Sequence, residues 1–362
     1  MKQHHGTLDL MRGIAACAVL LLHIGRLFGL PLRFGSAHLG VDFFFLLSGF
    51  VIANAYEDKL TSGWPIRAFV RKRAIRLYPM VIVGAALGLS VLLMRQMHSH
   101  DLGWTNLLLA ALNNALLLPS DALLLPTSAL QAFRVFSFPL NSPFWSLSVE
   151  AAVNLAYART VRALTTGRLC LLTGLAFAVL AVMVHLRSTI DVGFTWSDYG
   201  LGIVRALFPF LLGVLIFRLR DRLPNPGWLA HLAAPAIALV LLNPVPLPPF
   251  VELALVALGF PLAIILGLRC EPPKALKGIW QGLGALSYPL YAVHYPIVAV
   301  FAQASKQHHL GGAPELALAG LCGLSALVVA YASLKLFDEP LRRRLDRGQS
   351  AVELRPAQAS ST

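Results

Sequence analysis

Arg12-Gly13-Ile14-Ala15-Ala16-Cys17-Ala18-Val19-Leu20-Leu21-Leu22-His23 sets a cation and an imidazole at the two ends of ten small or apolar residues. With its flanks the run approaches the twenty or so residues that cross a bilayer. Eleven steps of 100° make three turns plus about 20°, so both side chains fall on one helix face, roughly 16 Å apart along the axis. An arginine in hydrocarbon costs several kcal/mol unless it meets a polar partner or a wet cavity. The stretch therefore predicts a membrane-spanning helix whose Arg12 and His23 line one common passage.

The rest of the chain fits such a helix. Of its 362 residues 57% are hydrophobic and only 13% charged, whereas a soluble domain carries about a quarter charged. Apolar runs of spanning length recur at about 8–27, 39–56, 75–94, 143–159, 169–187, 200–217, 228–243, 250–268, 281–303 and 314–336. The expected fold is an all-α polytopic bundle of about ten spans, one membrane domain over 1–347. A short polar tail, 348–362, is expected to be disordered. Pro224, Pro226, the Pro244–Pro249 run and Gly311-Gly312 break the chain between spans. An eleventh apolar segment, 104–118, is short and contains Asn106, Asn113 and Asn114, which suits a re-entrant or interfacial helix. No internal repeat stands out, which weighs against a transporter built from two related halves.

The formal charge of +13 does not point to nucleic acid, because the basic residues sit in short loops between apolar runs. With the N-terminus in the cytoplasm, the loops Lys59–Arg76, Arg159–Arg168, Arg218–Arg222, Arg269–Lys277 and Arg342–Arg347 face inward. The outer loops hold Arg26, Arg33, Arg95, Arg134, Arg187 and Lys306, with Arg205 near a helix end. About twenty basic residues against about seven is a strong orientation bias and predicts an inner-membrane protein with both termini cytoplasmic. A basic inner rim also attracts anionic lipid and any anionic cosubstrate. Cys17, Cys170, Cys270 and Cys322 show no close pairing and read as small core residues. No cleavage site follows the first apolar run, so it is expected to be retained as a span.

In this topology the intramembrane polar groups sort by depth. Arg12 lies in the inner half of the first span and His23 in its outer half. Asp42 opens the second span from outside, Glu150 lies two turns into the fourth, and His294 sits near the middle of the ninth. His23 is the candidate general base, since a neutral imidazole can take a proton from an alcohol at pH 7. Asp42 or Glu150 is the expected partner of its second nitrogen. Arg12 can pair with Asp9 or reach a pyrophosphate or carbonyl oxygen. The plainer alternative is that His23 and Arg12 only fix helix packing.

The segment Arg67, Arg71, Lys72, Arg73, Arg76, ending Leu77-Tyr78-Pro79, is denser in charge than orientation requires. Arg73 and Arg76 are one turn apart and can hold a phosphate together; a stop signal with lipid contacts explains the segment equally well. In Pro143 to Glu150, Trp145 suits the outer interface, and Ser146 shares a face with Glu150, while Ser148 does so less well. Ser287, Tyr291 and His294 form one stripe beside the kink expected at Pro289. His4, His5, His98, His100, His308 and His309 lie in tails or loops without a metal-spaced partner set, so no metal is expected.

These segments together resemble acyltransferase family 3, the bacterial membrane O-acyltransferases that decorate surface glycans and some small molecules. Leu8 to Gly13 with His23 is similar to the family's Arg-x10-His signature, and Gly40 to Phe50 to its second-helix motif. Arg73-Ala74-Ile75-Arg76-Leu77-Tyr78-Pro79 resembles its basic motif; Phe144 to Glu150, Ser287 to His294 and Asp338-Glu339-Pro340 also fit. The resemblance implies an acyl group, usually acetyl from acetyl-CoA, passed to a hydroxyl at or across the membrane. It implies catalytic roles for His23, Arg12, Asp42 and Glu150, and donor binding by Arg71, Arg73, Arg76 and Tyr78. Trp145, Ser146, Ser148, Ser287, Tyr291 and His294 are then the expected substrate contacts. The implied partners are membrane lipid and a glycan or other hydroxyl acceptor, such as a glycosylated metabolite.

Two departures stand out. Where the family often continues Glu-Glu-Gln-Phe-Tyr, this chain has Glu150-Ala151-Ala152-Val153-Asn154, which lacks the second carboxylate and the aromatics. No esterase-like domain follows the spans, so transfer is expected to be direct or to use a separate periplasmic partner. A glycan or lipid transporter with the same polar cavity is the alternative from another class.

Overall fold

Apolar runs in this chain close as helices because no backbone N–H or C=O can stay unbonded in hydrocarbon. The computed structural model describes residues 6–31, 34–100, 102–121, 136–223, 227–270 and 273–353. Its helices are α1 (Gly6–Phe28), α2 (Gly40–Thr61), α3 (Ile66–Ser99), α4 (Trp104–Ala115), α5 (Phe144–Thr160), α6 (Thr166–Arg187) and α7 (Tyr199–Leu219). They continue with α8 (Ala233–Leu241), α9 (Pro249–Ala254), α10 (Phe260–Gly267), α11 (Lys277–Gln307), α12 (Gly312–Ser333) and α13 (Glu339–Glu353). Single π-helical turns, Leu255–Gly259 and Leu334–Asp338, join α9 to α10 and α12 to α13. Among the described residues the only β feature is an isolated bridge between Phe136 and Thr195.

Local chemistry marks several helix ends. Gly29 ends α1 at φ +75°, a left-handed cap that costs glycine nothing. The Thr165 hydroxyl accepts from the Arg168 N–H at 3.3 Å and caps α6. Thr195 and Asp198 form a reciprocal capping box ahead of α7.

The molecule is an all-α, multi-pass membrane protein: eight helical stretches are long and apolar enough to cross a bilayer. The remaining two of the ten expected spans are shorter helices, the 17-residue α5 and the stretch Gly227–Leu241. Segment 104–118 forms α4, which buries Leu107, Ala110 and Asn114 and leaves Trp104, Leu108, Leu109 and Leu112 outward. Helix α13 runs to Glu353, six residues into the stretch expected as a disordered tail. Residues 354–362 lie outside the described residues, as do His4, His5, Arg33, Arg134, Pro224 and Pro226. Cys170 is exposed on α6 rather than in the core.

Helix α1 packs most extensively along α11, α2 against α7, and α12 and α3 flank α11. The α2–α7 crossing depends on two glycines. A Cβ at Gly49 would stand 2.0 Å from the Phe210 carbonyl oxygen, and one at Gly213 would stand 2.0 Å from that of Leu46. Only the missing side chains let these backbones touch, the small-residue packing by which membrane helices associate. Asp42 and Ser48 on α2 are thereby held at fixed positions relative to α5 and α7.

Candidate active site

Helices α1, α2, α3, α5 and α11 enclose a cavity of about 170 Å³. Arg12, Ser48, Arg73, Arg76, Glu150 and Tyr288 supply much of its polar lining, and Ser146, Ser287 and Tyr291 complete it. Three guanidinium groups therefore share one space with few counter-charges. Arg12 reaches Asp9 at 3.4 Å, and Arg73 donates to Glu150 at 2.9 Å. The Arg73 Nε has no hydrogen-bond partner among the described residues. Arg76 donates no hydrogen bond to any described residue; its guanidinium lies 5.2 Å from the centroid of the Tyr288 ring. A cation stacked on an aromatic face keeps its N–H groups free for an anion. Tyr288 is itself anchored, its hydroxyl donating to the Leu77 carbonyl.

Glu150 is the organising carboxylate of this cavity. Ser48 donates to it at 2.7 Å, and Asn154, one turn along α5, lies 3.5 Å from both Glu150 and Ser48. Asn154, one of the residues departing from the family pattern, thus packs as a polar neighbour of Glu150. Ser146, one turn in the other direction, meets the Tyr291 hydroxyl at 2.5 Å, and both hydroxyls also reach the Pro143 carbonyl.

Behind Tyr291 lie two histidines. The Tyr291 and His294 rings have centroids 5.9 Å apart, and those of His294 and His23 are 5.0 Å apart. His294 Nε2 stands 3.1 Å from His23 Nδ1. His294 is buried, His23 is half-buried, and Tyr295 meets the His23 ring edge-on. Of the two residues expected to share a passage, Arg12 lines the cavity, whereas His23 is not among its lining residues. Tyr291 lines the cavity, its hydroxyl held by α5, and its ring neighbours His294.

Several expected site residues lie elsewhere. Asp42 does not orient His23; both its oxygens accept from Arg205, at 2.9 and 2.7 Å, with both side chains fully buried. Glu150 serves Arg73 rather than His23. Arg71 is exposed outside the cavity, and Tyr78 is not among the lining residues; Tyr288 holds the aromatic position. Trp145 is buried under the Arg205 guanidinium, 5.6 Å away. Ser148 bonds the Leu117 carbonyl and the Tyr199 hydroxyl, both at 2.7 Å, away from the cavity. Among the described residues no group of three His, Cys, Asp or Glu side chains gathers as a metal site.

Arg205 is the residue that sequence reasoning placed least well. It sits inside α7, not at a helix end, and besides Asp42 it donates to Asp191, the Val192 carbonyl and the His38 carbonyl. Asp191 also receives Arg26 at 2.8 Å, tying the end of α1 to the loop before α7. Burial would push the Asp191 carboxyl up, but His38, Arg26 and Arg205 hold it well below the usual carboxylate range. His38 in turn lies 3.2 Å from buried Glu252. The signal for this network was available: an arginine in an apolar run needs a carboxylate, and Asp42 lies at the matching end.

The fold, the arginine-lined cavity and the ordered motifs define a membrane acyltransferase. The acyltransferase domain model of family 3 matches residues 5–335, and the chain belongs to that family. It is also similar to a protein of Rhizobium radiobacter described as "Protein 2 in picA locus", 34% identical over 187 residues. That match covers 48% of this chain and 92% of the relative. No solved structure matches significantly.

Proposed function

We propose that the protein is an inner-membrane O-acyltransferase that moves an acetyl group from acetyl-CoA to a hydroxyl of a cell-envelope glycan. One observation carries the reading: one cavity is lined by Arg12, Arg73 and Arg76 and by Tyr291, whose ring neighbours the His294–His23 pair. The donor's phosphates would lie against Arg12, Arg73 and Arg76, whose N–H groups are available for charge-assisted hydrogen bonds. The pantetheine arm would then run up the cavity toward Ser146 and Tyr291. Turning Tyr291 aside joins the thioester to His23.

In this mechanism the acceptor oxygen attacks the thioester carbonyl carbon while His23 takes the hydroxyl proton. The carbon–sulfur bond breaks as the new carbon–oxygen bond forms. The proton on His23 passes to the departing thiolate, leaving an ester and free CoA. With the N-terminus in the cytoplasm, the arginines face the donor's compartment and His23 faces the acceptor's. The basic loops support that orientation.

The test compares cells lacking the chain, cells carrying it and cells carrying His23→Ala. Acetyl esters on envelope glycans, read by mass spectrometry, are expected to fall at least about a hundredfold in the variant, with unchanged abundance in the membrane. Undiminished acetylation in His23→Ala would overturn the mechanism. An acetyl loss confined to secreted small molecules would move the acceptor from glycan to metabolite. Export of a reporter fused after Arg220 would reverse the orientation.

A further inference from the structure

We infer that His294 is the positioning residue for His23: its Nε2 lone pair accepts the His23 Nδ1–H, which leaves Nε2 of His23 as the nitrogen that meets the acceptor hydroxyl. The inference rests on the acyltransferase reading above and deepens it.

The assignment follows from which atoms can donate. His294 Nδ1 lies 3.0 Å from both the Leu290 and the Tyr291 carbonyl oxygens. Carbonyls only accept, so Nδ1 carries the hydrogen, and in the neutral ring Nε2 is then bare. That bare nitrogen faces His23 Nδ1 at 3.1 Å, so His23 Nδ1 must donate. The Val19 carbonyl, 2.9 Å from the same Nδ1, makes the same demand. Four acceptors agree on one pair of tautomers. A hydrogen on His23 Nε2 instead would set the lone pairs of the Val19 carbonyl and of His294 Nε2 against a bare Nδ1.

The pair does the work that a carboxylate does in a histidine–carboxylate dyad, with no buried anion. When His23 gains a proton at Nε2, its Nδ1–H becomes a stronger donor, and the His294 lone pair stabilises the cation across it. No second proton transfer is needed, and His294 itself meets no substrate. The charged groups around His23 are otherwise few. Arg26, on its own helix, is paired with Asp191 from the loop before α7. From α11, His294 and Tyr295 face the ring. The α11 backbone is fixed where this matters. Pro296 cannot donate to the Ala292 carbonyl, and Asn141 takes that carbonyl at 2.7 Å, two residues from His294.

The first measurement needs no acceptor. Nitrogen-15 NMR of histidine-labelled protein in lipid nanodiscs, with His23 and His294 assigned by substitution, reads which ring nitrogen carries hydrogen. Nδ1–H with bare Nε2 on both rings, and an N–H···N coupling between them, is the expected result. A hydrogen on His23 Nε2 would overturn the inference. The second measurement follows transfer from radiolabelled acetyl-CoA into the envelope glycan fraction of membranes carrying His294→Phe or His294→Gln. The phenylalanine variant loses the acceptor but keeps the volume. Its kcat is expected to fall about tenfold, since the Val19 carbonyl remains, with KM for acetyl-CoA within about twofold. Losing the lone pair that stabilises the cation lowers the pH at which His23 protonates, so the acid limb of the kcat profile moves to lower pH. Glutamine, whose amide oxygen can stand where Nε2 stood, is expected to recover most of the rate. Parent kcat and pH profile in His294→Phe, alongside an inactive His23→Ala, would reject His294 while leaving the acyltransferase reading intact. Activity in His23→Ala would reject that reading itself.

Discussion

Arg205 and Arg76 carry the same side chain at opposite ends of the bundle and are treated in opposite ways. Arg205 is fully buried and gives five hydrogen bonds, to Asp42, Asp191 and the carbonyls of His38 and Val192. Arg76 gives none to any described residue and rests on the Tyr288 ring beside an open cavity. A cation whose every N–H is satisfied by protein has nothing left for a ligand. One left with free N–H groups next to a cavity can still give them to an anion. The first arginine holds the fold; the second, in the proposed mechanism, is left for the donor's phosphates. The sequence presents both as single arginines in or beside apolar helices.

The comparison breaks most visibly at its buried half. Arg205→Leu leaves Asp42 charged and unpaired inside the bundle, a loss of about 3–5 kcal/mol. The expected outcome is aggregated protein on size-exclusion chromatography in detergent, together with lost activity. Arg205→Met combined with Asp42→Leu removes both charges and is expected to return a monodisperse peak. At the other end, Arg73→Ala with Arg76→Ala should weaken acetyl-CoA binding about tenfold or more, measured by calorimetry in nanodiscs, with the melting temperature unchanged. A large fall in melting temperature there would erase the distinction between the two arginines.

Smaller effects sharpen it. Asp191→Asn removes one acceptor of Arg205 and the partner of Arg26, and should lower the melting temperature by a few degrees at neutral pH. The Asp191 carboxyl is held below its ordinary value. Its contribution is therefore full above the unfolded value near 4 and is lost as pH falls through the folded value. The gap between parent and Asp191→Asn should accordingly close under acid. Arg26→Ala is the mildest change, because that side chain is half exposed and such pairs contribute about 0–1 kcal/mol. A shift in its melting temperature as large as that of Asp191→Asn would mean that Arg26, not Arg205, anchors the loop.

How much of this was legible beforehand varies with the kind of residue. Arg12, Arg73, Arg76, Ser146, Ser287 and Tyr291 were expected from spacing and motif, and the fold brings all of them to one cavity. Helical periodicity is a local property, so a shared stripe on one helix is readable from the chain. Trp145 and Ser148 were expected beside substrate and instead pack on Arg205, Leu117 and Tyr199. Their neighbours come from helices far off in sequence, which no spacing encodes. Tyr78 was expected from the basic motif on α3, whereas the aromatic that lines the cavity is Tyr288, brought in by α11.

Composition and hydropathy by themselves determined a helical membrane protein, and the motif order determined its family, because both are written along one strand of chain. Which carboxylate would sit with which cation was decided only in three dimensions. In hydrocarbon a charge must find its partner across helices, and the rotation of α2 against α7, set by Gly49 and Gly213, turns Asp42 to Arg205. The packing of α1 along α11 likewise brings a second imidazole to His23.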